Sequence, residues 1–399
     1  MSKLPSGKGV TWEELFFDLA FVFALTQFST QLHEDHTWSG IGRALILFVP
    51  VYWAWGGVTL YTNQRDITSP LDRLGIITLG LGSLLMALTI PRAYDDQGLH
   101  FVVIYLAGRV TLAGLALRHL PVWRSLFVGP YGVFLFTAPL LLAGGLMNGT
   151  ARVVLWAAAA TIDVLSPWVA SRLVAQRNVQ PVHYAHRYGL LIILVFGESV
   201  IQVGAVAADE GLTLVQLVAV GTAYILVSVL WYAYFGYGLS DFRQALEQAR
   251  DQPDLRRTIL VYGHLLYSFG IITIAVSLAE MVPEPFHVLP TREAMLLAGG
   301  CALFLITFAC AHWRIHHRIA WRRVGAGAAC LILVPLATLM PALAAVASLI
   351  VVIAVMVAAE EIAVRRRGDA SHGANEVMPR EQTDQGPAAA EADASPPPA

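Results

Sequence analysis

Residues 190–207 read LLIILVFGESVIQVGAVA, an apolar run of eighteen residues that holds a single charge, Glu198. A helix needs about 20 apolar residues to cross the hydrocarbon core of a bilayer, so this run is typical of a membrane span. The rest of the chain has the same character, because 56% of its 399 residues are hydrophobic and only 14% are charged. We therefore predict an integral membrane protein without a sizeable soluble domain.

Eleven other apolar runs have similar length, and the predicted fold class is an all-α polytopic transmembrane helix bundle of about twelve helices. The predicted spans lie near residues 14–32, 41–61, 74–94, 99–118, 126–147, 151–172, 187–208, 213–238, 259–282, 293–312, 324–339 and 341–363. The last two are read either as a hairpin or as one longer stretch. Residues 368–399 are rich in Ala, Pro, Glu and Asp, and predict a disordered tail.

Basic residues are distributed unevenly between the two sides of these spans. One side, which includes the N-terminal segment 1–13 and Arg187, carries twenty Lys and Arg residues. The other side carries only four, which are Arg43, Arg92, Arg152 and Arg292. Since Lys and Arg accumulate in cytoplasmic loops, we predict that both termini are cytoplasmic.

A weak internal repeat relates the two halves of the chain. Residues 52–57, YWAWGG, and residues 231–236, WYAYFG, are 179 positions apart, and FFD at 16–18 matches FGE at 196–198 at nearly the same offset. The predicted halves, residues 14–178 and 179–367, hold six helices each. An even number of helices keeps both halves in the same orientation, which predicts a parallel repeat about an axis along the membrane normal.

Several polar side chains fall within the predicted spans. Glu14 and Asp18 are one turn apart, so both carboxylates lie on one face of the first helix. Glu198 lies near the middle of the seventh, with Gln202 one turn further on. A charge at this depth costs about 2.5–3.5 kcal/mol on insertion scales, so it needs a structural or functional reason.

Arg109 is the basic residue that we predict to lie among the buried carboxylates. It lies near the middle of the fourth helix, and Asp163 lies at similar depth in the sixth, so Asp163 is its first expected partner. Such a pair either fastens helices together or serves transport. If Asp18, Asp163 and Glu198 share this arginine, at least one of them is protonated, bound to a cation or exposed to water.

The sequence contains no signature of a catalytic or cofactor-binding protein. It has no nucleotide-binding glycine loop, nucleophile elbow or zinc motif, so we expect no enzyme, no cofactor and no nucleic-acid partner. His312, His316 and His317 have helical spacing, but Arg314 and Arg318 lie between and beside them. We expect a basic helix that touches anionic lipid there, and no metal site.

Two motifs resemble the bacterial low temperature requirement protein A family. Residues 14–24, ELFFDLAFVFA, are similar to its opening motif, and HRYG at 186–189 followed by FGES at 196–199 is similar to its second. His186 stands where the family usually has Glu, and Phe196 where it has Leu. Five further positions fit the family: Tyr61, Asn63, Asp66, Tyr262 and His264. The resemblance covers residues 10–365 and implies a multi-pass protein of the bacterial inner membrane, without implying a substrate.

Two functions are compatible with these observations. The first is a secondary transporter of a small solute, coupled to protons, that uses Glu198, Asp18 and Asp163 at the interface of the two halves. The second is a scaffold, or a sensor of cold or stress, in which the buried charges are structural. The expected partners are the lipid bilayer and, for a transporter, protons and the solute; the oligomeric state stays open.

Overall fold

The structure of the protein is a computed structural model that describes residues 8–118, 133–169, 179–211, 213–236, 238–248 and 252–376. The chain in these ranges is almost entirely helical. The helices are α1 (Trp12–Glu34), α2 (Trp38–Gln64), α3 (Pro70–Thr89), α4 (Gly98–Leu117), α5 (Phe134–Leu146), α6 (Gly149–Val169), α7 (Pro181–Glu210), α8 (Leu214–Phe235), α9 (Gly238–Gln248), α10 (His264–Met281), α11 (Thr291–His316), α12 (Trp321–Ala337) and α13 (Ala342–Glu376). A π-helical segment, Arg256–Gly263, leads into α10 without a break.

Each of the twelve predicted spans coincides with a helix, and the polytopic helical bundle is confirmed. Ten of the described helices are long and apolar enough to cross a membrane. Among the predicted spans, α5 and α12 are shorter, with 13 and 17 residues. Most of the predicted start of the fifth span, 126–132, lies outside the described residues. Helix α9 is additional to the predicted set.

The exterior of the bundle is apolar, as a lipid-facing surface requires. Leu19, Leu214, Ile332 and Val351 project from four different helices, and each is more than 60% exposed. In water, so many exposed large apolar side chains would form patches that soluble monomers rarely carry. The protein is therefore a multi-pass membrane protein, and its polar chemistry lies between the helices.

Helices α1 and α7, which begin the two predicted halves, lie side by side. Three pairs of buried side chains lie beside each other at this contact, and the partners in each pair are 169 positions apart in the sequence. The pairs are Glu14 with His183, Asp18 with Arg187, and Ser29 with Glu198. A constant separation means that the two helices run in the same direction and in register. Two spans that run in the same direction have an odd number of membrane crossings between them. The five helices α2–α6 give this odd number if α5 also crosses the membrane.

Three packing contacts of the first predicted half have counterparts in the second, whereas the contacts of α6 with α2 and α5 have no comparably extensive counterpart at α13. In the first half α1 packs against α3, α3 against α4, and α4 against α5. In the second half α7 packs against α10, α10 against α11, and α11 against α12. Two parallel halves of six helices predict this pattern. The boundary at 178 lies outside the described residues, and the division into 14–178 and 179–367 stays a prediction.

The described part of the chain separates near its end into two compact units, with the boundary between Val357 and Ala358. Helix α13 continues past the predicted end of the twelfth span to Glu376. The rest of the predicted tail lies outside the described residues.

Arg152, which the sequence places at the outer end of the sixth predicted span, is buried at the start of α6 and is 3% exposed. Its guanidinium donates to the backbone carbonyls of Ala93 at 2.9 Å, Gly144 at 3.1 Å and Met147 at 2.8 Å. These carbonyls lie at the ends of helices, where backbone acceptors lack intrahelical partners. Arg152 therefore ties together the loops that precede α4 and α6.

Candidate functional site

A buried ion pair joins α1 to α7. Arg187 donates from Nη1 to Asp18 Oδ2 at 2.5 Å and from Nη2 to Asp18 Oδ1 at 2.8 Å. Arg187 is fully buried and Asp18 is 2% exposed. This two-bond geometry is the strongest form of arginine–carboxylate contact, and it fixes the orientation of both side chains.

Trp55 of α2 completes the surroundings of this pair. Its indole Nε1 donates to Asp18 Oδ1 at 2.9 Å, and the guanidinium carbon of Arg187 lies 5.7 Å from the centre of its ring. One aromatic side chain thus offers a donor to the anion and a π face to the cation. Asp18 receives three hydrogen bonds in total, and these offset the cost of burying its charge.

Glu14 extends the network by one turn. Its Oε1 lies 3.5 Å from Arg187 Nε, and its Oε2 lies 3.3 Å from His183 Nε2. The orientation of the Asn63 amide is set by Gln180, whose backbone N donates to Asn63 Oδ1 at 3.0 Å. The Asn63 amino group therefore faces His183 Nδ1 at 3.1 Å, so Nδ1 accepts and Nε2 carries the proton towards Glu14.

The first turn of α1 presents Glu14 to this network. Thr11 forms a capping box with Glu14, in which the Thr11 hydroxyl accepts from the Glu14 N–H at 3.4 Å and the Thr11 N–H donates to Glu14 Oε2 at 2.8 Å. The box satisfies two backbone donors at the helix start and holds the carboxylate in place. Glu14 is consequently both a capping residue and a part of the buried site.

Among the arrangements that the sequence left open for Arg109, the one that includes Asp18 does not occur in the structure. Asp18 pairs with Arg187, which the sequence placed at the cytoplasmic edge because a charge interrupts the apolar run there. Helix α7 begins at Pro181, so Arg187 lies nearly two turns inside it. Asp18, the partner that compensates the buried charge of Arg187, lies 169 residues away. A hydropathy pattern reports only on neighbouring residues and therefore cannot reveal such a partner.

Glu198 occupies the middle of α7 and is completely buried. In the described part of the chain, neither of its carboxylate oxygens has a hydrogen-bond partner of good geometry, and no cation lies within 4.0 Å. The Ser29 hydroxyl on α1 and the Gln202 amide, one turn along α7, lie beside it. Both neighbours are neutral, so Glu198 lacks the compensating charge that Asp18 has.

Asp18 and Glu198 are in separate places. Arg187, the partner of Asp18, is eleven residues before Glu198 on the same helix, which corresponds to about 16 Å along its axis. The structure thus brings Glu14 and Asp18 together, and Glu198 and Gln202 together, as expected from their spacing. It does not bring the three carboxyls into one cluster.

Arg109 and Asp163 form a third buried polar group, between α4 and α6. They are 3% and 1% exposed. The Tyr105 hydroxyl and the Arg109 guanidinium interact with the Asp163 carboxyl, and Arg109 Nη1 donates to the Trp53 carbonyl at 3.2 Å. Arg109 lines a small cavity of about 30 Å³, and the gap beside Asp163 has no room for a water molecule. Their role as an ion pair stays a prediction.

A further polar cluster surrounds the π-helical segment before α10. His264 Nδ1 donates to the Ile259 carbonyl at 3.1 Å, which leaves Nε2 to accept from the Tyr234 hydroxyl at 2.6 Å. The Tyr52 hydroxyl donates to the Val261 carbonyl at 2.7 Å. A π-helix frees carbonyls from the regular ladder, and such segments are frequent at functional sites.

Tyr188 links this cluster to the ion pair. Its ring centre lies 5.1 Å from that of Trp55 and 4.8 Å from that of His264, both edge to face. The side chains are buried, so a continuous layer of aromatic contacts runs from α2 through α7 to α10. A movement of α7 would therefore displace side chains in both polar clusters.

No role in the site was predicted for His183, Arg187 or Trp55, although Arg187 lies in the motif HRYG and Trp55 in the repeated segment YWAWGG. A signal for two of them was present, because His183 and Arg187 are four residues apart, as are Glu14 and Asp18. Two helices that each present an i, i+4 polar pair, one acidic and one basic, can match at two levels at once. Trp55 gave no comparable signal.

The chain was compared with known proteins. The family described as bacterial low temperature requirement A protein (LtrA) matches residues 9–359. An uncharacterized protein of Rhizobium meliloti (strain 1021), RA0937, is 28% identical over 312 residues, which cover 74% of this chain and 75% of that protein. No solved structure shows significant similarity to the chain. The match over most of the chain confirms the resemblance seen in the two motifs, and the protein belongs to the bacterial low temperature requirement A family.

Proposed function

We propose that this protein is a secondary transporter that couples the movement of a small solute to protons, with Glu198 as the carboxyl that binds and releases the proton. The observation that carries the proposal is the complete burial of Glu198 without a compensating cation among the described residues. An ionised carboxylate in such a place costs several kcal/mol, so the neutral, protonated form suits this conformation.

The position of Glu198 supports the same role. It lies at the interface between α1 and α7, the first helices of the two predicted halves, with Ser29 of α1 beside it. In transporters built from repeats, the halves rock against each other around a site near the midplane. A rocking motion at this interface would expose Glu198 to water and allow it to release its proton.

The Asp18–Arg187 pair has a different part in this proposal. Its charges already compensate each other, and Trp55 supplies a further donor, so Asp18 gains little from taking up a proton. We assign it to positioning: it joins the same two helices about 16 Å from Glu198 and defines one end of their interface. The carboxyl proposed to bind the proton is thus Glu198 alone among Glu198, Asp18 and Asp163.

We further propose that the protein lies in the bacterial inner membrane with both termini in the cytoplasm. Among the basic residues assigned to the cytoplasmic side whose side chains the structure describes, four are buried, namely Arg187, Arg256, Arg257 and Arg323. On the other side Arg152 is buried. Setting these five aside leaves sixteen against three, so the bias that supports this orientation persists.

The second candidate is a scaffold or sensor in which the buried charges only fasten helices. The enclosed Asp18–Arg187 pair favours this alternative, because a pair with three hydrogen bonds is well suited to fixing a helix interface. The scaffold does not explain why Glu198 is buried, because among the described residues Glu198 forms no ion pair that could fasten two helices. The two candidates differ in whether proton movement follows solute addition.

Reconstituted protein tests the proposal. Proteoliposomes that contain a pH-sensitive dye are exposed to a panel of amino acids, sugars, amines, organic acids and inorganic ions, with and without an imposed pH gradient. We expect at least one solute to drive proton movement in the wild type, and Glu198→Gln to abolish it. Asp209→Asn removes an exposed carboxylate from the same helix and should retain it. Correctly folded wild type that moves no protons with any solute would favour the scaffold.

A further inference from the structure

We propose that His33, His36 and Glu280 form a binding site for a divalent transition metal of the zinc class. The site lies where α1 and α10 end, on the side of the bundle opposite to the start of α1. It is separate from Glu198 and from the Asp18–Arg187 pair, and it does not depend on the proposed transport function. It also departs from the expectation that the chain has no metal site.

The three side chains converge on one point. His33 Nδ1 lies 3.0 Å from Glu280 Oε1, and His36 Nε2 lies 2.5 Å from the same oxygen. One ligand atom from each residue lies within 4.8 Å of those of the other two, which is close enough for all three to hold a single ion. Two imidazoles and one carboxylate are a ligand set that proteins use for zinc.

Two atoms of this cluster have no hydrogen-bond partner among the described residues. Glu280 is buried apart from 10% of its side chain, and its second oxygen, Oε2, has no hydrogen-bond partner among the described residues. His36 Nε2 is close to Glu280 Oε1 but does not meet it with hydrogen-bond geometry. A cation between these atoms would satisfy both, whereas a simple helix-capping role would leave them unsatisfied.

The electrostatic surroundings contain groups of both signs. His33 and Glu280 are in the last turns of α1 and α10, where the helix dipoles favour a cation. Glu293, in the first turn of α11, adds a second carboxylate that acts on Glu280. Arg292 opposes binding, because its charge acts on His36. Two helix C-terminal ends and two carboxylates thus favour a cation at this place, and one arginine opposes it.

The donor set determines the class of metal. Imidazole nitrogen suits zinc, cobalt, nickel and copper, whereas calcium and magnesium prefer all-oxygen sites. Three protein ligands leave one position of a tetrahedron for water or for another incoming ligand. Because His33 is 53% exposed, the ion would be reached from the solvent at this side of the membrane.

A second cluster provides a matched control at the other side of the membrane. Asp241 Oδ2 lies 3.0 Å from His316 Nε2 and 3.8 Å from His312 Nδ1, so it also offers two imidazoles and a carboxylate. All three side chains are at least one-third exposed, and Arg314 and Arg318 surround the histidines. Its carboxylate is more open to water, so we expect it to bind metal more weakly.

Cobalt binding tests the proposal, since four- or five-coordinate Co²⁺ absorbs visible light. Full-length protein in detergent is stripped with a chelator and titrated with Co²⁺, and bound Co²⁺ is then displaced with Zn²⁺. The variants are His33→Ala with His36→Ala, Glu280→Gln alone, and His312→Ala with His316→Ala as control. Size exclusion and thermal unfolding establish that each variant is folded.

We expect the wild type and the control to show the same visible spectrum and affinity for Co²⁺. The double variant at His33 and His36 should lose the spectrum. Glu280→Gln should weaken Co²⁺ binding by at least about tenfold, a loss that even an outer-shell change commonly causes. If the wild type gives no such spectrum, or Glu280→Gln and the double variant both bind as the wild type does, the proposal is overturned. Should the double variant not fold, Glu280→Gln decides alone.

Discussion

Asp18 and Arg187 stand 169 residues apart and are joined by two hydrogen bonds of 2.5 Å and 2.8 Å in the interior of the bundle. Glu14 and His183 have the same separation, as do Ser29 and Glu198. Three levels of contact with one spacing fix the direction and register of α1 against α7. The pair therefore organises the interface on which the proposed function depends.

Arg187→Gln should destabilise the protein by about 3–5 kcal/mol, because it leaves the buried carboxylate of Asp18 without its counter-charge. Asp18→Asn should have a comparable effect for the converse reason. The double variant should cost clearly less than the sum of the two single changes, since neither charge is then stranded. Thermal unfolding in detergent measures all three.

Arg243→Gln is the control for this series. Arg243 is half exposed and pairs with Glu247 one turn away on α9, and such pairs contribute little. We expect a change below about 0.5 kcal/mol. Additive effects of Arg187→Gln and Asp18→Asn would show that the two side chains do not act as a pair.

Trp55→Phe isolates the indole hydrogen bond to Asp18. Phe retains an aromatic ring beside Arg187 and Tyr188 but has no N–H for the carboxylate. We expect a loss of about 1.5–3 kcal/mol, the range for hydrogen bonds to charged groups. Trp231→Phe, at a half-exposed aromatic position on α8, should cost much less. Equal unfolding temperatures for the two variants would contradict the role given to Trp55.

The membrane fold could be predicted from the sequence because the lipid bilayer constrains each span locally. Every span must be apolar over about 20 residues, and each predicted span coincides with a helix for that reason. Helix ends were harder to predict where a charge is buried. Arg187 and Arg152 are buried because their guanidinium groups bind partners that are distant in the sequence. A window of neighbouring residues contains no information on such partners.

The candidate site was partly accessible for the same reason. The spacing of Glu14 with Asp18, and of Glu198 with Gln202, correctly placed each pair on one helix face. The pairing of Asp18 with Arg187 depends on tertiary packing, and the sequence offered Arg109 in its place. The cluster of His33, His36 and Glu280 is likewise invisible in the sequence, because Glu280 is more than 240 residues from the two histidines.

The relationship between Arg109 and Asp163 is open to a double-mutant cycle. Arg109→Leu should cost about 3–5 kcal/mol if it strands the Asp163 carboxylate, and adding Asp163→Asn should recover part of that loss. Tyr105→Phe should weaken the site by a smaller amount, because the Tyr105 hydroxyl also interacts with Asp163. Unfolding temperatures of the single and double variants are the measurement. A double variant as damaged as the sum of its singles would mean that Arg109 has another main partner.

Reporter fusions test the orientation in the membrane. Fusions after Arg177 and after Arg250 should both be active only as cytoplasmic reporters, and a fusion after Asp95 should be active only outside. The expectation follows from the bias in basic residues and from the parallel course of α1 and α7. An outside signal after Arg177 would mean that α5 does not cross, and the predicted halves would then not have six spans each.

Glu198 and Asp18 should respond differently to replacement by the corresponding amide, although both are buried carboxyls. Glu198→Gln should stay within about 1 kcal/mol of wild type, because the amide resembles the protonated acid in shape and no cation is left unpaired, whereas Asp18→Asn strands Arg187. Infrared spectra give an independent measurement, since a protonated carboxyl has its own carbonyl stretch. That band should be present in the wild type, absent in Glu198→Gln and shifted in Ser29→Ala, which removes the neighbouring hydroxyl. Ser199→Ala is the matched control, because the Ser199 hydroxyl donates to the Val195 carbonyl. If Glu198→Gln is as unstable as Asp18→Asn and no carbonyl band disappears, Glu198 is ionised and held by a partner, and it is not the proton-binding group.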